Sequence, residues 1–255
     1  MAGASSRVVA ILQVLSGPDG GELTAQEVVE RAGLPASTGY RILTELQDLG
    51  LVHRGAGRRI LANFSFERRL HCPGFDPKAL ADACAELSDC LTSAAEIVVL
   101  SGHNMLWHIV QQHPQQAIRL RAYPGFTRGA YELDSISRLA LAHRTFEVLE
   151  KSWDTGAFYT PGVDRRSLDW AEAREMIAAV DPDDMQYDMM GNAKGTRRYC
   201  VAIHGSDGKM VCLLTVAEAA TPLREEAQHV ANIRAHLMAQ KFKIESAFSD
   251  PAQTG

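Results

Sequence analysis

With 255 residues the chain exceeds one small domain and suits a small domain followed by a larger one. Its hydrophobic fraction of 46% is ample for packed cores, and its formal net charge of −5 excludes a polycation. The five cysteines (Cys72, Cys84, Cys90, Cys200, Cys212) are odd in number and form no Cys-x-x-Cys pair, which reads as reduced thiols in a cytoplasmic protein. Residues 8–15 are interrupted by Gln13 and no apolar run approaches the length of a membrane span, so neither signal peptide nor anchor is expected.

Ser5 or Ser6 can cap a first helix whose Val8, Ile11, Leu12 and Leu15 share one face, and the Gly-Pro-Asp-Gly-Gly run at 17–21 ends it. Thr24 followed three residues later by Glu27 is a capping box. A second helix starts there, carries Val28, Val29 and Ala32 inward and stops at Gly33. Ser37 or Thr38 can cap a third helix, in which Ile42, Leu43, Leu46 and Leu49 recur at helical spacing before Gly50 closes it. Two short helices joined by such a turn form a helix-turn-helix. Residues 51–54 read as a strand, 55–57 as a tight tip and 58–61 as the returning strand, which makes the motif winged. Gly39 is the local misfit, because glycine inside a helix costs on the order of 1 kcal/mol relative to alanine. It either permits close approach to DNA or is merely tolerated.

With the apolar positions of the third helix buried, its opposite face shows Ser37, Thr38, Tyr40, Arg41 and Thr44, placed to meet base edges or phosphates. On the hairpin, His53, Arg54, Arg58 and Arg59 are placed for phosphate or the minor groove. Residues 31–71 hold seven arginines against three acids, a local +4, whereas the chain beyond residue 71 carries −6. Such a footprint on an acidic protein gives modest non-specific DNA affinity that falls with salt. The competing reading, a helical hairpin and β-hairpin with a merely solvated polar face, leaves the agreement of caps, spacing and wing unexplained.

Residues 62–70 continue as a short linker helix carrying Phe64, Phe66 and Leu70, which belong to the core or bury a partner subunit; Pro73-Gly74 is the best domain break. Leu80, Cys84, Leu87 and Leu91 predict a helix over 78–91. Residues 96–101 and 105–111 read as antiparallel strands across Gly102-His103-Asn104. Residues 117–122 read as a third strand, with Ile118 and Leu120 on one face and Arg119 and Arg121 on the other. Asp134 or Ser135 can cap a helix bearing Ile136, Leu139, Ala140 and Phe146, and a further helix lies at about 168–180. Residues 199–203 and 209–217 form a hairpin around Asp207-Gly208. Alternation puts Cys200, Ala202 and His204 on one face of its first strand, and Val211, Leu213 and Thr215 on one face of its second. Thr221 and Pro222 open a long closing helix that ends near Phe248. This order predicts an α+β domain with a central antiparallel sheet.

On these residues the chain resembles the IclR family of bacterial transcription regulators over nearly its whole length. Leu34-Pro35-Ala36-Ser37-Thr38-Gly39-Tyr40-Arg41-Ile42-Leu43 is similar to the family's Leu-Pro-Lys-Ser-Thr-x-x-Arg-Leu-Leu stretch, and Leu49-Gly50-Leu51-Val52 continues it. Cys200-Val201-Ala202, Gly208 and the strand into Thr215 look like the family's late hairpin. The resemblance implies a winged helix-turn-helix DNA-binding domain at 1–62, a linker helix at 63–75, and a GAF-like effector-binding and oligomerisation domain at 76–250. It further implies a homodimer or dimer of dimers whose partners are double-stranded operator DNA and a small effector, an aromatic or short aliphatic organic acid of a catabolic pathway. Two departures stand out. Ala36 replaces the family's lysine, so Arg41 must matter more. Residues 132–140, Glu-Leu-Asp-Ser-Ile-Ser-Arg-Leu-Ala, replace the family's Pro-Leu-His-Ala-Thr-Ala-x-Gly-Lys-Ala pocket segment, which points to a different ligand.

The resemblance places Cys200 and Thr215 near the effector, where they hydrogen-bond a carboxylate or simply fill the sheet core. It leaves Asp188 as the acid nearest the late hairpin. Ser135 and Ser137 offer backbone amides to an anion or serve a helix cap. Arg119, Arg121 and Tyr123 clamp an acid or stay solvated, and Trp107 walls an aromatic ligand or belongs to the core. Effector contacts are therefore expected among Leu120, Arg121, Tyr123, Ser135, Ser137, Asp188, Cys200 and Thr215. His103, His108 and His113 lack metal-ligand spacing, and neither metal nor cofactor is expected. No Gly-x-Ser-x-Gly elbow or phosphate-cradling loop supports an enzyme. The alternative is a DNA-binding protein whose C-terminal domain is only a dimerisation module or carries an unrecognised activity.

Overall fold

The computed structural model describes residues 4–17, 21, 23–64 and 76–248, and the chain divides into two compact units, residues 1–68 and 69–255. In the first unit α1 (Ala4–Leu15), α2 (Ala25–Arg31) and α3 (Ala36–Asp48) precede a hairpin of β1 (Val52–Arg54) and β2 (Ile60–Ala62). Thr24 and Glu27 form the expected capping box, the Thr24 N–H donating to the Glu27 carboxylate at 2.8 Å. Ile11, Val28, Val29, Ile42, Leu43, Leu46, Val52 and Ile60 are buried together as the core. Val52 pairs with Ala62 and Arg54 with Ile60. The Ile60 N–H donates to the Leu23 carbonyl at 2.8 Å, and a bridge between Thr24 and Arg59 extends the small sheet.

Four expectations in this unit need revision. The α3 helix starts at Ala36 after Pro35, whose φ of −56° already suits helix entry; no side chain caps it, and Ser37 and Thr38 stand inside its first turn. Leu49 is 72% exposed, because α3 ends at Asp48 and the chain turns so that Val52 takes the next core position. Ala62 closes β2 rather than opening a linker helix, and Phe64 packs half-buried against the same core. The rest of the expected linker helix and the Pro73-Gly74 break lie outside the described residues. Gly39 is explained by packing. A Cβ there would lie 2.5 Å from both methyls of Val29, so the missing side chain lets α2 and α3 approach each other.

The second unit comprises α4 (Pro77–Leu91), β3 (Ala94–Ser101), β4 (Asn104–Gln111), β5 (Thr127–Gly129), α5 (Ser135–Ala142), α6 (Phe146–Ser152), α7 (Trp170–Ala178), β6 (Gln186–Tyr187), β7 (Thr196–His204), β8 (Met210–Ala219) and α8 (Glu226–Phe248). The strands form a six-stranded sheet in the order β5-β4-β3-β8-β7-β6, antiparallel at every step. One face buries Ile97, Val201 and Leu214 against Leu80, Cys84 and Leu87 of α4 and Ile233 and Leu237 of α8. The other buries Val98, Trp107, Cys200, Ala202 and Leu213 against Ile136, Leu139 and Ala140 of α5. Among the described residues no helix is long and apolar enough to cross a membrane.

Here too the structure corrects details. Residues 117–122 form no strand. The side-chain amide of Gln112 donates to the Leu120 carbonyl and accepts its N–H, both at 3.2 Å, and so replaces a ladder partner. The predicted alternation survives, with Leu120 buried and Arg119 and Arg121 exposed. The third strand against β4 is β5 instead. Phe146 belongs to α6, started by Thr145 as N-cap, and not to α5. A bulge between Ile203 and His204 turns Val211 to the α4 and α8 layer, away from Leu213. The closing helix starts at Glu226, beyond Thr221 and Pro222.

The C-cap of α5 is His143, half-buried with its ring 5.0 Å from that of His204. Burial first, then His204 and Lys241, hold its pKa below the usual 6.5 against the opposing pull of Asp183. The folded protein therefore keeps this imidazole neutral. Its contribution to stability is present above pH 6.5 and is lost as the pH falls below that value, because the unfolded chain then binds the extra proton.

Two outcomes follow. Gly39→Ala should destabilise the first unit by about 1–3 kcal/mol through overpacking, despite alanine's better helix propensity. In urea unfolding Val29→Ala should relieve part of that loss in the double variant; strictly additive costs would refute the contact. The melting temperature should fall between about pH 7.5 and about pH 5.5, and less steeply in His143→Gln. Parallel curves for the two proteins would exclude His143 as a contributor.

Candidate functional site

The first candidate surface is the solvent face of α3. Ser37, Tyr40, Arg41 and Thr44 are exposed there and Thr38 is partly so. Tyr40 shows 43% of its surface, much for an aromatic ring in a small unit. The Thr44 hydroxyl donates to the Tyr40 carbonyl at 3.0 Å. Arg41 pairs with Glu45 one turn on, both side chains being more than half exposed. Such pairs are worth about 0–1 kcal/mol, so the guanidinium is readily released to another anion. On the wing His53, Arg54, Arg58 and Arg59 are all exposed. The tip holds Gly57 and Arg58 in the left-handed region, at φ of 68° and 62°.

The second candidate lies on the α5 face of the sheet, where three strands set the register Glu96 to Thr215 to Cys200. Glu96 is completely buried. Arg198 donates to it from Nε at 2.8 Å and from Nη2 at 3.3 Å, and the Thr215 hydroxyl adds a third bond at 3.1 Å. Cys200 donates its S–H to the Gln186 carbonyl at 3.4 Å. At the start of α5, Asp134 accepts the Ser137 N–H at 3.1 Å. Asp188 accepts the Ser135 N–H at 2.6 Å and pairs with Arg138 at 2.7 Å. The Ser135 hydroxyl donates to the Arg198 carbonyl at 3.2 Å, tying helix to strand. Arg128 binds Glu132, Asp134 and the Ser137 hydroxyl. The guanidinium carbons of Arg128 and Arg198 lie 5.8 Å and 5.4 Å from the centroid of the Trp107 ring, whose buried Nε1 has no partner.

Burial works against the Arg198 charge, but Glu96 beside it more than compensates and leaves its pKa raised. Burial, with Asp134 and Asp188 nearby, pushes the Cys200 thiol far up, so it stays a neutral donor. Burial also raises Glu132, opposed by Arg128. Between Asp134, Ser135, Asp188, Gly191, Asn192, Thr196 and Arg198 remains a cavity of about 10 Å³, room for roughly one water.

Of the expected effector contacts, Ser135, Ser137, Asp188, Cys200 and Thr215 join this buried network. Leu120 packs separately against Ala94 and Ala217, while Arg121 is exposed and Tyr123 is 61% exposed. A cleft of about 130 Å³ near Leu120's neighbours is lined by Ser93, Gln116, Ile118, Ala217, Glu218 and Thr221. Sequence reasoning missed Glu96, Arg128, Asp134, Arg138 and Arg198 as members of the network. One signal was present: Glu96 stands alone in the apolar run Ala94-Ala95-Glu96-Ile97-Val98-Val99, where an acid needs a buried partner. Among the described residues no group of three or more His, Cys, Asp or Glu side chains can hold a metal.

A winged helix-turn-helix followed by a separate unit built on an antiparallel sheet defines a two-unit protein of DNA-binding type. Residues 5–56 match the IclR helix-turn-helix domain. The whole chain shares its fold with an IclR homolog complexed with 4-hydroxybenzoate from Microbacterium hydrocarbonoxydans, at 19% identity and a TM-score of 0.69, over 97% of this chain and 99% of that one. The Thermotoga maritima IclR aligns at 15% identity and a TM-score of 0.65, over 96% and 98% of the two chains. The Agobacterium tumefaciens repressor BlcR aligns at 15% identity and a TM-score of 0.55, over 97% of each. No curated protein matches the sequence. The N-terminal unit is thus an IclR helix-turn-helix domain, and the chain has the fold of IclR-family regulators.

Removing one partner of the Glu96–Arg198 pair leaves a buried charge uncompensated. Glu96→Gln should destabilise the second unit by about 3–5 kcal/mol in denaturant unfolding. The double variant Glu96→Gln, Arg198→Met should lose less than the sum of the single changes. Additive losses would show the two side chains to be energetically independent.

Proposed function

We propose that this protein is a transcription regulator that binds operator DNA through residues 1–62 and a small effector through residues 76–250, with 63–75 as linker. The observation that carries the reading is the match of residues 5–56 to the IclR helix-turn-helix domain. The exposed Ser37, Thr38, Tyr40, Arg41 and Thr44 would enter the major groove, and Arg54, Arg58 and Arg59 would hold the backbone. A homodimer or dimer of dimers in the cytoplasm would read a roughly palindromic site. An organic acid is the favoured effector class, because a protein of the same fold is complexed with 4-hydroxybenzoate and because the Ser135 N–H and Arg138 here together hold a carboxylate, that of Asp188. The cavity of about 10 Å³ favours a second reading, in which the C-terminal unit only associates copies of the chain.

The test uses a duplex selected by the protein from a randomised pool, in fluorescence anisotropy with and without 4-hydroxybenzoate. Arg41→Ala should weaken binding by about 1–3 kcal/mol if Arg41 contacts a base, and Arg58→Ala should lower the salt slope by about one. Glu45→Gln, which frees Arg41, should tighten binding. Unchanged affinity for Arg41→Ala would remove Arg41 from the interface, and failure to select any duplex would refute DNA recognition.

A further inference from the structure

We infer that Asp188 is an internal stand-in for the effector's carboxylate, and that a monocarboxylate binds by exchanging with it at Ser135 and Arg138. This rests on the effector reading above and adds how the site is opened and what it admits. Asp188 makes the two contacts an organic acid would seek there: the free N–H of Ser135 at the start of α5, at 2.6 Å, and the guanidinium of Arg138, at 2.7 Å. The remaining acceptor group at that helix start, Asp134, is engaged by Ser137 and Arg128. With the carboxylate of Asp188 in place the cavity beside it has room for about one water, so no acid of useful size enters without displacing it.

Charge sets the admissible ligand. Three guanidiniums, Arg128, Arg138 and Arg198, face four carboxylates, Glu96, Glu132, Asp134 and Asp188, and none of these side chains is more than 21% exposed. A monocarboxylate that replaces Asp188 leaves this balance unchanged, whereas a dicarboxylate adds a further buried negative charge. The ring of Trp107, its buried Nε1 unpartnered, lies beside the guanidinium of Arg198, and Arg198 in turn lines the cavity. Asp188 is carried by the short connection from β6 to β7, where its carbonyl accepts the Gly191 N–H at 2.9 Å and the neighbouring Met190 is 89% exposed. Moving the carboxylate outward therefore works against a connection tied to the sheet next door, where the Met189 carbonyl accepts from Arg197 of β7 at 2.7 Å.

The experiment is isothermal titration calorimetry of the full chain with 4-hydroxybenzoate, terephthalate and the neutral 4-hydroxybenzamide. Asp188→Asn should bind 4-hydroxybenzoate at least tenfold more tightly than the unaltered protein and leave the amide unchanged, and adding Arg138→Gln should abolish the gain. Terephthalate should bind more weakly than 4-hydroxybenzoate. In the unaltered protein, saturating 4-hydroxybenzoate should speed hydrogen exchange of the Gly191 amide while Ser135 stays protected, a readout that does not depend on how the variants fold. If the unaltered protein binds 4-hydroxybenzoate and Asp188→Asn binds it no better, or Gly191 exchange slows, the exchange is overturned and the effector reading stands. If neither protein binds any of the three compounds, both fall.

Discussion

A carboxylate with no exposed surface stands at the centre of the C-terminal unit, and the surrounding structure answers to it. Glu96 sits on the middle of the sheet in a strand otherwise apolar up to its terminal Ser101, and desolvating it without partners would cost several kcal/mol. Three donors meet it, two from Arg198 and one from Thr215. They reach it only if β3, β8 and β7 hold the observed register, since a slip of one residue would turn each of these side chains to the opposite face. The ion pair thus stabilises little by itself but penalises other alignments of three strands.

That register organises the layer above it. Arg198 turns its carbonyl to the Ser135 hydroxyl and its guanidinium toward Trp107, so the same residue locates the start of α5 and one wall of the pocket. The α5 helix adds Ile136, Leu139 and Ala140 to the apolar core on that face. Its N-terminal amides need acceptors, and Asp134 and Asp188 supply them from two distant parts of the chain. The polar cluster is therefore no surface ornament. It is the joint between sheet, helix and the connection from β6 to β7.

What the sequence revealed follows the range of the interaction involved. The capping box at Thr24 and Glu27, the apolar spacing of α3, the hairpin at Asp207-Gly208 and the Asp134 cap are set by residues within four positions of one another, and all were legible. Burial alternation at 117–122 was legible too, but the absence of a ladder was not, because the Gln112 amide that occupies Leu120 has no periodic signature. Leu49 obeyed the helical period and still faced water, since the period does not say where the core ends. Glu96 and Arg198 are separated by 102 positions, and only the fold brings them together. Hence five of the residues expected at the effector share one buried network, while the charged side chains that hold that network together escaped notice. Gly39 teaches the same lesson in small: its cause is Val29 on the neighbouring helix.

The two ends of α5 differ in kind, which bears on how the unit can respond to a ligand. Its start is wrapped in ion pairs, where under the exchange proposed above one carboxylate would replace another without altering the charge. Its end, at His143, abuts His204, which in turn meets Lys241 and Glu245 of α8. Between them the helix is buried and close-packed, and a dense interior transmits a shift of one end rather than absorbing it. A change of acid at Ser135 would therefore reach the end of β7 at His204, where Lys241 and Glu245 of α8 meet it, through a helix of only eight residues. Differential contacts at that corner, and not the affinity of the pocket alone, would decide how strongly ligand binding is coupled to anything else the protein does.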